Sequence, residues 1–527
     1  MAAAGRSTVY APRDAVATSQ PLASEAGLEI LLRGGNAIDA AVAAAAVLNV
    51  VEPHMTGVGG DMFAILWSAR EQHLVGLDAS GRAGSLLTPD ALRATGHGSM
   101  PGSGPAPVTV PGALAGWAAL LERYGTMSLA EVLAPAIRIA EEGFAVTPII
   151  AGQWRAQEET LSRNSGAAAT YLLEGKRGPE AGESFRNPDL ARSFSALAEG
   201  GPDVFYGGEL GRTIVDGLAE LGGYLTLNDL ANHSAEWVDP ISIDFRDHTV
   251  WELPPAGQGV AALQMMKMME PLDLEGMGHN SAPYLHYLIE AKKLAFADLD
   301  RYVADRDHME VSVDQLLDEE YLNGRRTLIH PTRAAVRPQP GPAITDTETI
   351  YLSVADSEGN MISFINSLFE HFGSGVVIPG TGFALQNRGA GFTLEDGHPN
   401  QVAPGKRPFH TLLPGFVTKA GVPWMTFGLM GGSMQPQGHT QMLLNILVFG
   451  MDVQAAIDAA RIRHLDGYRV TIERTVGENV RAQLRAMGHE ITDETQSGFG
   501  GAQAIMRLDQ GWAAGSDSRK DGIAVGR

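Results

Sequence analysis

This chain predicts an α+β fold: two stacked, mostly antiparallel sheets with helices on their outer faces. Three observations predict it. Apolar strands arrive in pairs joined by tight polar turns, the mark of hairpins rather than parallel crossovers. Helical spacing fills the blocks between those pairs. A length of 527 residues, 44% of them hydrophobic, is enough to bury a core of several layers, as one large unit or a few domains.

The elements follow in order. Pro21–Arg33 has helical apolar spacing and is ended by Gly34–Gly35. Ile38–Val51 is a second helix, so rich in alanine and valine that it must be buried. The glycine-rich turn Thr56–Asp61 leads into a strand, Met62–Trp67, with Leu74–Ala79 as its hairpin partner. That turn lacks the Lys-Ser/Thr of a P-loop and the spacing of a dinucleotide fingerprint, so it is read as a turn. From Pro111 to about Ala335 the chain is mostly helical, with 3.6-residue spacing over Gly112–Arg123, Leu129–Glu142, Ile214–Leu221, Val260–Met269 and Ala282–Val303. The methionines from Met265 to Met269 fit a helix core. A hairpin of Ile241–Phe245 and Thr249–Leu253 interrupts these helices. Arg333–Ile344 is proline-rich, lacks periodicity and reads as an exposed linker.

Beyond the linker, Ile350–Ala355 and Met361–Ser367 form a β-branched and aromatic hairpin around the turn Asp356–Asn360. Leu412–Thr418 and Trp424–Leu429 make another pair, broken by Gly431–Gly432. Helices are predicted over Gln437–Phe449, Val453–His464 and Val480–Met487, and strands over Ala502–Arg507 and Trp512–Ala514. The DSRKDG run, Asp517–Gly522, reads as a solvated turn.

Composition narrows function. A formal charge of -22 argues against nucleic-acid and anionic-membrane partners, because their phosphates are repelled. A small anionic substrate answers to local charge and stays open. The absence of cysteine excludes disulfides, thiolate metal sites and a cysteine nucleophile, which leaves Ser, Thr, Lys or a carboxylate for covalent chemistry. The histidines offer no HExxH pattern; His371, His398, His410 and His439 are expected to form hydrogen bonds, so neither metal nor cofactor is expected. MAAAGRSTVYAPRDAV has no apolar h-region and no run of about 20 apolar residues follows, so a cytoplasmic location without a membrane partner is expected.

Three threonines, Thr345, Thr347 and Thr349, lead into the central hairpin. They suit a strand entry as simple β-formers. They also suit a second chemistry: if the peptide bond before one of them breaks, that residue carries both a hydroxyl nucleophile and an α-amine, of pKa near ~8, to take its proton.

The block TIYLSVADSEGN, followed by FGSG, LQNRGAGF, PGKRPFHTLLP and GLMGGS, resembles the γ-glutamyltransferase family of N-terminal-nucleophile hydrolases. GGNAIDAAVAAAAVLNVVEP, TGVGGDMFAILW and Tyr287–Asp300 resemble the same family, so the likeness covers most of the chain. It implies a four-layer αββα sandwich with a helical lobe from the N-terminal part. It also implies self-cleavage between Glu348 and Thr349, giving chains 1–348 and 349–527 that stay together as one heterodimeric domain, which can itself pair. Thr349 is the implied nucleophile and Thr347, two residues away on the same strand face, the competitor. Gly431 and Gly432 match the family's backbone oxyanion hole, and Ser367 a second hydroxyl near the nucleophile. His410 and Thr411 stand where the family has a serine pair touching the acyl group.

The acyl pocket departs from the family pattern. The arginine that grips a glutamyl α-carboxylate is replaced by Ser80, with Arg82 nearby. The acid that holds the α-amine is replaced by Gly391, with Arg388 nearby, and an asparagine by Phe369. A cationic amine has lost its counter-charge while guanidinium groups remain, so Arg82 and Arg388 are expected to bind a substrate carboxylate. The expected reaction is hydrolysis of a small amide with a carboxylate on its acyl side, as in glutaryl acylases and oxamate amidohydrolase. The γ-glutamyltransferase reaction proper and an uncleaved, catalytically silent binding protein are the alternatives.

Overall fold

A computed structural model describes residues 5–336, 347–493 and 496–527, and at 347, 348, 496 and 497 the backbone only. Two seven-stranded sheets dominate it. In spatial order the first holds Ile523–Gly526, Ala15–Thr18, Thr347–Ala355, Met361–Glu370, Asp61–Ser68, His73–Ala79 and Glu236–Val238. The second holds Val9–Ala11, Trp512–Ser516, Gly501–Arg507, Val422–Met430, Pro414–Lys419, His248–Glu252 and Ile241–Phe245. Every neighbouring pair in both sheets is antiparallel.

Alternation along the strands sorts the core into layers. In the central hairpin Ile350, Leu352, Val354, Ile362 and Phe364 face a helical layer that includes Ala37–Val51, whose residues are all buried. Tyr351, Ala355, Met361 and Ile365 face the other way and meet Phe416, Ile505 and Ala514 of the second sheet. The second sheet's outer face, including Val417, Phe427 and Ala504, packs on the helices Gly259–Met269, Ala282–Tyr302 and Met434–Leu447. This is the expected αββα sandwich.

The Ala37–Val51 helix is started by a capping box, Asn36 accepting from Asp39 N–H while the Asp39 side chain accepts from Asn36 N–H. The buried Met265, Met266, Met268 and Met269 confirm a helix core. The glycine-rich turn proves structural: a Cβ at Gly60 would lie 2.2 Å from the Ser367 carbonyl oxygen, so only glycine lets this turn lie against the central hairpin.

Three expectations are corrected. The helix predicted over Val453–His464 stops at Asp458, and Ile462–His464 is a strand paired with Arg469–Ile472. The Asp517–Gly522 run is not solvated at its core: Asp517, Arg519 and Lys520 are buried, and Asp517 and Arg519 form a cluster with Arg461 and Glu473. The helix predicted at Ile214 begins earlier, at Glu209. Of the predicted linker, 337–344 lies outside the described residues, as does Thr345. Among the described residues no helix is long and apolar enough to cross a membrane.

Candidate active site

The site is built at the open end of the central hairpin. Its register shifts between Glu348, opposite Phe369, and Ile350, opposite Asn366, so Thr349 sits at a bulge. Thr349 is fully buried and its Oγ1 donates to Ser367 Oγ at 3.1 Å. By strand alternation both hydroxyls face the inter-sheet space. Ser367 Oγ also accepts from Phe369 N–H at 2.7 Å. Phe369 has φ of 86°, costly for an aromatic residue, and its ring lies 4.3 Å from the Arg388 guanidinium.

Arg388 is the most informative group. Its side chain is fully buried, yet among the described residues only Nη1 has a hydrogen-bond partner, donating to Thr411 Oγ1 at 2.9 Å; Nε and Nη2 have none. Burial pushes its pKa down to about 9, against the attraction of Asp61 and Glu370, and that still leaves it charged at neutral pH.

From Thr411 the path turns toward the glycine pair. Gln258 Nε2 donates both to the Thr411 carbonyl, 2.7 Å, and to the Gly432 carbonyl, 2.9 Å. Gly431 and Gly432 follow the last residue of the Val422–Met430 strand and precede the Met434–Leu447 helix. Both have positive φ, 120° and 54°, and their carbonyls accept from Met434 and Gln435 N–H. Two successive backbone N–H groups thus lie just before a helix N-terminus.

His410 lies behind Thr411. It is fully buried, and its Nε2 is 3.1 Å from Asp61 Oδ2. Burial pushes the imidazole pKa well below its ordinary value and raises that of the Asp61 carboxyl, so the ring in this hydrogen bond is neutral. Arg82, expected beside Arg388, is engaged elsewhere: it pairs with Glu236 at 2.9 Å and Asp305 at 3.5 Å and donates to the Gly405 carbonyl. The structure therefore gathers Thr349, Ser367, Arg388, Thr411, His410 and the glycine pair, and ties Arg82 to a lateral ion cluster with Arg407 and Arg306. Sequence reading missed Asp61 and Gln258. Each comes from a segment remote in the chain, and the only local signal was the polar residue ending the glycine turn.

One cluster among the described residues has metal-ligand geometry: His286, Glu290 and His489, with ligand atoms within 4.8 Å of one another. Its groups are already engaged. His286 bonds His489 at 2.8 Å and the His330 carbonyl at 2.7 Å, and Glu290 pairs with the Lys293 ammonium at 2.7 Å, which opposes a cation there.

A buried threonine hydroxyl on a bulged strand end, linked through Ser367, Phe369, Arg388, Thr411 and Gln258 to a glycine pair within two stacked antiparallel sheets, fits the class of N-terminal-nucleophile amide hydrolases and acyltransferases. The chain matches the family model described as Gamma-glutamyltranspeptidase over residues 23–527, and it belongs to that family. It is 36% identical over 532 residues to the glutathione hydrolase-like YwrD proenzyme of Bacillus subtilis, covering 98% of this chain and 99% of that one. To the oxamate amidohydrolase proenzyme of Klebsiella pneumoniae it is 36% identical, covering 96% and 97%. The crystal structure of cephalosporin acylase from Bacillus halodurans superposes with a TM-score of 0.94 at 43% identity, covering 100% of this chain and 98% of that one.

Proposed function

We propose that the protein cuts itself between Glu348 and Thr349 and then hydrolyses small amides whose acyl group bears a carboxylate. The observation that carries the substrate reading is Arg388, a buried cation with two nitrogens unpartnered among the described residues, joined through Phe369 and Ser367 to Thr349 and through Thr411 and Gln258 to Gly432. A buried guanidinium left half-paired is costly, and a carboxylate ligand satisfies it in bidentate fashion. The names of two relatives, a cephalosporin acylase and an oxamate amidohydrolase, support an acylase reading over a transpeptidase one.

In processing, Thr349 Oγ attacks the Glu348 carbonyl carbon and the acyl group shifts from nitrogen to oxygen. Water then cleaves the ester, leaving a Glu348 carboxylate and a free Thr349 α-amine. In turnover that amine takes the hydroxyl proton as Oγ attacks the substrate amide, and returns it to the leaving amine. The Gly431 and Gly432 N–H groups stabilise the oxyanion, and water releases the acyl group from Thr349. Ser367, bonded to the nucleophile, orients its hydroxyl.

The test compares turnover of a glutaryl anilide, a γ-glutamyl anilide and oxamate by the processed protein. Preference for glutaryl anilide or oxamate is expected; preference for the γ-glutamyl compound overturns the substrate reading.

A further inference from the structure

We infer that Asp61 and His410 are positioning residues that set the orientation of the Arg388 guanidinium and so determine specificity for the acyl carboxylate. This rests on the reading of Arg388 as the carboxylate contact.

Asp61 is fully buried and surrounded by donors. Its Oδ1 accepts from Gly81 N–H at 2.9 Å, Gly112 N–H at 3.2 Å and Gln386 Nε2 at 3.0 Å, and Oδ2 takes His410 Nε2–H at 3.1 Å. A carboxylate that only accepts is the form these four donors fit. The shell fixes the imidazole as well. With Nε2–H given to Asp61, Nδ1 is left as an acceptor, and it meets the Leu412 N–H at 3.3 Å. His410 N–H is bonded to the Ala256 carbonyl at 3.0 Å, and the ring packs on Phe63 at 4.6 Å between centroids.

The chain is therefore pinned on both sides of Thr411. That residue does two jobs at once: its hydroxyl receives Arg388 Nη1, and its carbonyl receives the Gln258 amide that also holds Gly432. Asp61 attracts Arg388 without touching it. It lowers the cost of burying the cation while leaving Nε and Nη2 to a ligand. A carboxylate in direct contact with Arg388 would fill the site instead.

An asparagine at position 61 keeps the shape and removes the charge. Its amide group must then turn donors toward donors, at His410 Nε2–H or at the backbone N–H groups. Asp61→Asn, His410→Leu, His410→Gln and Arg388→Leu are compared as processed enzymes, with kcat and KM measured on a glutaryl anilide and on an uncharged pentanoyl anilide. Denaturing gels and melting temperatures are run alongside. Asp61→Asn and His410→Leu are expected to lower kcat/KM for both substrates, but at least tenfold more for the glutaryl one, through KM. His410→Gln, whose amide can still donate to Asp61, recovers part of that selectivity. If Asp61→Asn does not accumulate, the two His410 variants carry the test. An equal loss on both substrates, tracking melting temperature, overturns the inference, since Asp61 then serves only the fold. If Arg388→Leu keeps glutaryl selectivity, the Arg388 reading itself fails. If Arg388→Leu loses selectivity while Asp61→Asn keeps it, only the present inference fails.

Discussion

Two regions of this molecule bury arginines, and they treat them in opposite ways. In the C-terminal cluster Arg519 gives Nε and Nη2 to Glu473, Nη1 to Asp517 and the Ile457 carbonyl, and Nη2 also to the Ala459 carbonyl. Arg461 beside it bonds Asp517 and the carbonyls of Phe499 and Ile457. Every charge there has a partner, and the cluster ties the chain's end to a strand and a helix. Arg388 is as deeply buried and, among the described residues, holds one hydrogen bond. A saturated cation is part of the architecture, whereas an unsaturated buried one is what the proposed carboxylate contact requires.

Substitutions can break or sharpen this contrast. The largest effect is expected at the nucleophile: Thr349→Ala should leave one band on a denaturing gel and reduce turnover roughly ten-thousandfold or more, without loss of fold by circular dichroism. A variant that still splits moves the nucleophile elsewhere, with Thr347 the first alternative. Next comes the saturated cluster, where the effect should be on stability. Asp517→Ala leaves two buried guanidinium groups short of a partner and should cost about 3–5 kcal/mol in denaturant unfolding. The same carboxylate gives a pH signature. Arg461 and Arg519 outweigh its burial and hold its pKa down to about 2 in the fold. Because the folded value lies below the unfolded one, near ~3.9, its contribution is full above the unfolded value and is lost as pH falls toward 2. The loss is on the order of 2 kcal/mol, and it should be missing from the acid-unfolding curve of Asp517→Asn.

Arg388→Leu should cost about a hundredfold in kcat/KM for a carboxylated acyl group and leave the melting temperature close to wild type, the reverse of the Asp517 result. Arg82→Ala is expected to matter least. Its ion pairs are part-exposed, so stability should change by about 1 kcal/mol or less and glutaryl preference should persist. Loss of that preference would return Arg82 to the pocket.

How much of this was legible in the sequence depended on how local the cause was. The Ala37–Val51 helix and the Thr347–Glu370 hairpin were readable because composition, caps and turn lie within the elements themselves. Thr349 could be matched with Ser367 by counting back from the Asp356–Asn360 turn. The Val453–His464 misreading has a tertiary cause: apolar spacing continues past Asp458, but Ile462–His464 is claimed by Arg469–Ile472. Val9–Ala11, Ala15–Thr18 and Ile523–Gly526 are too short to announce themselves and exist through the neighbours they pair with. The DSRKDG run looked wet because its counter-charges, Arg461 and Glu473, lie dozens of residues upstream. Asp61 escaped notice for the same reason, being joined to His410 across most of the chain.

The order of strands in the first sheet has a last consequence. Ala15–Thr18, from before the proposed scission point, is clasped between Thr347–Ala355 and Ile523–Gly526, nearly all of which lies after it. Strands from the two sides of the proposed cut are interleaved there, so severing the backbone at Glu348 divides the polymer and not the particle. The two pieces should travel as one species through native gel filtration and part only when both sheets are unravelled.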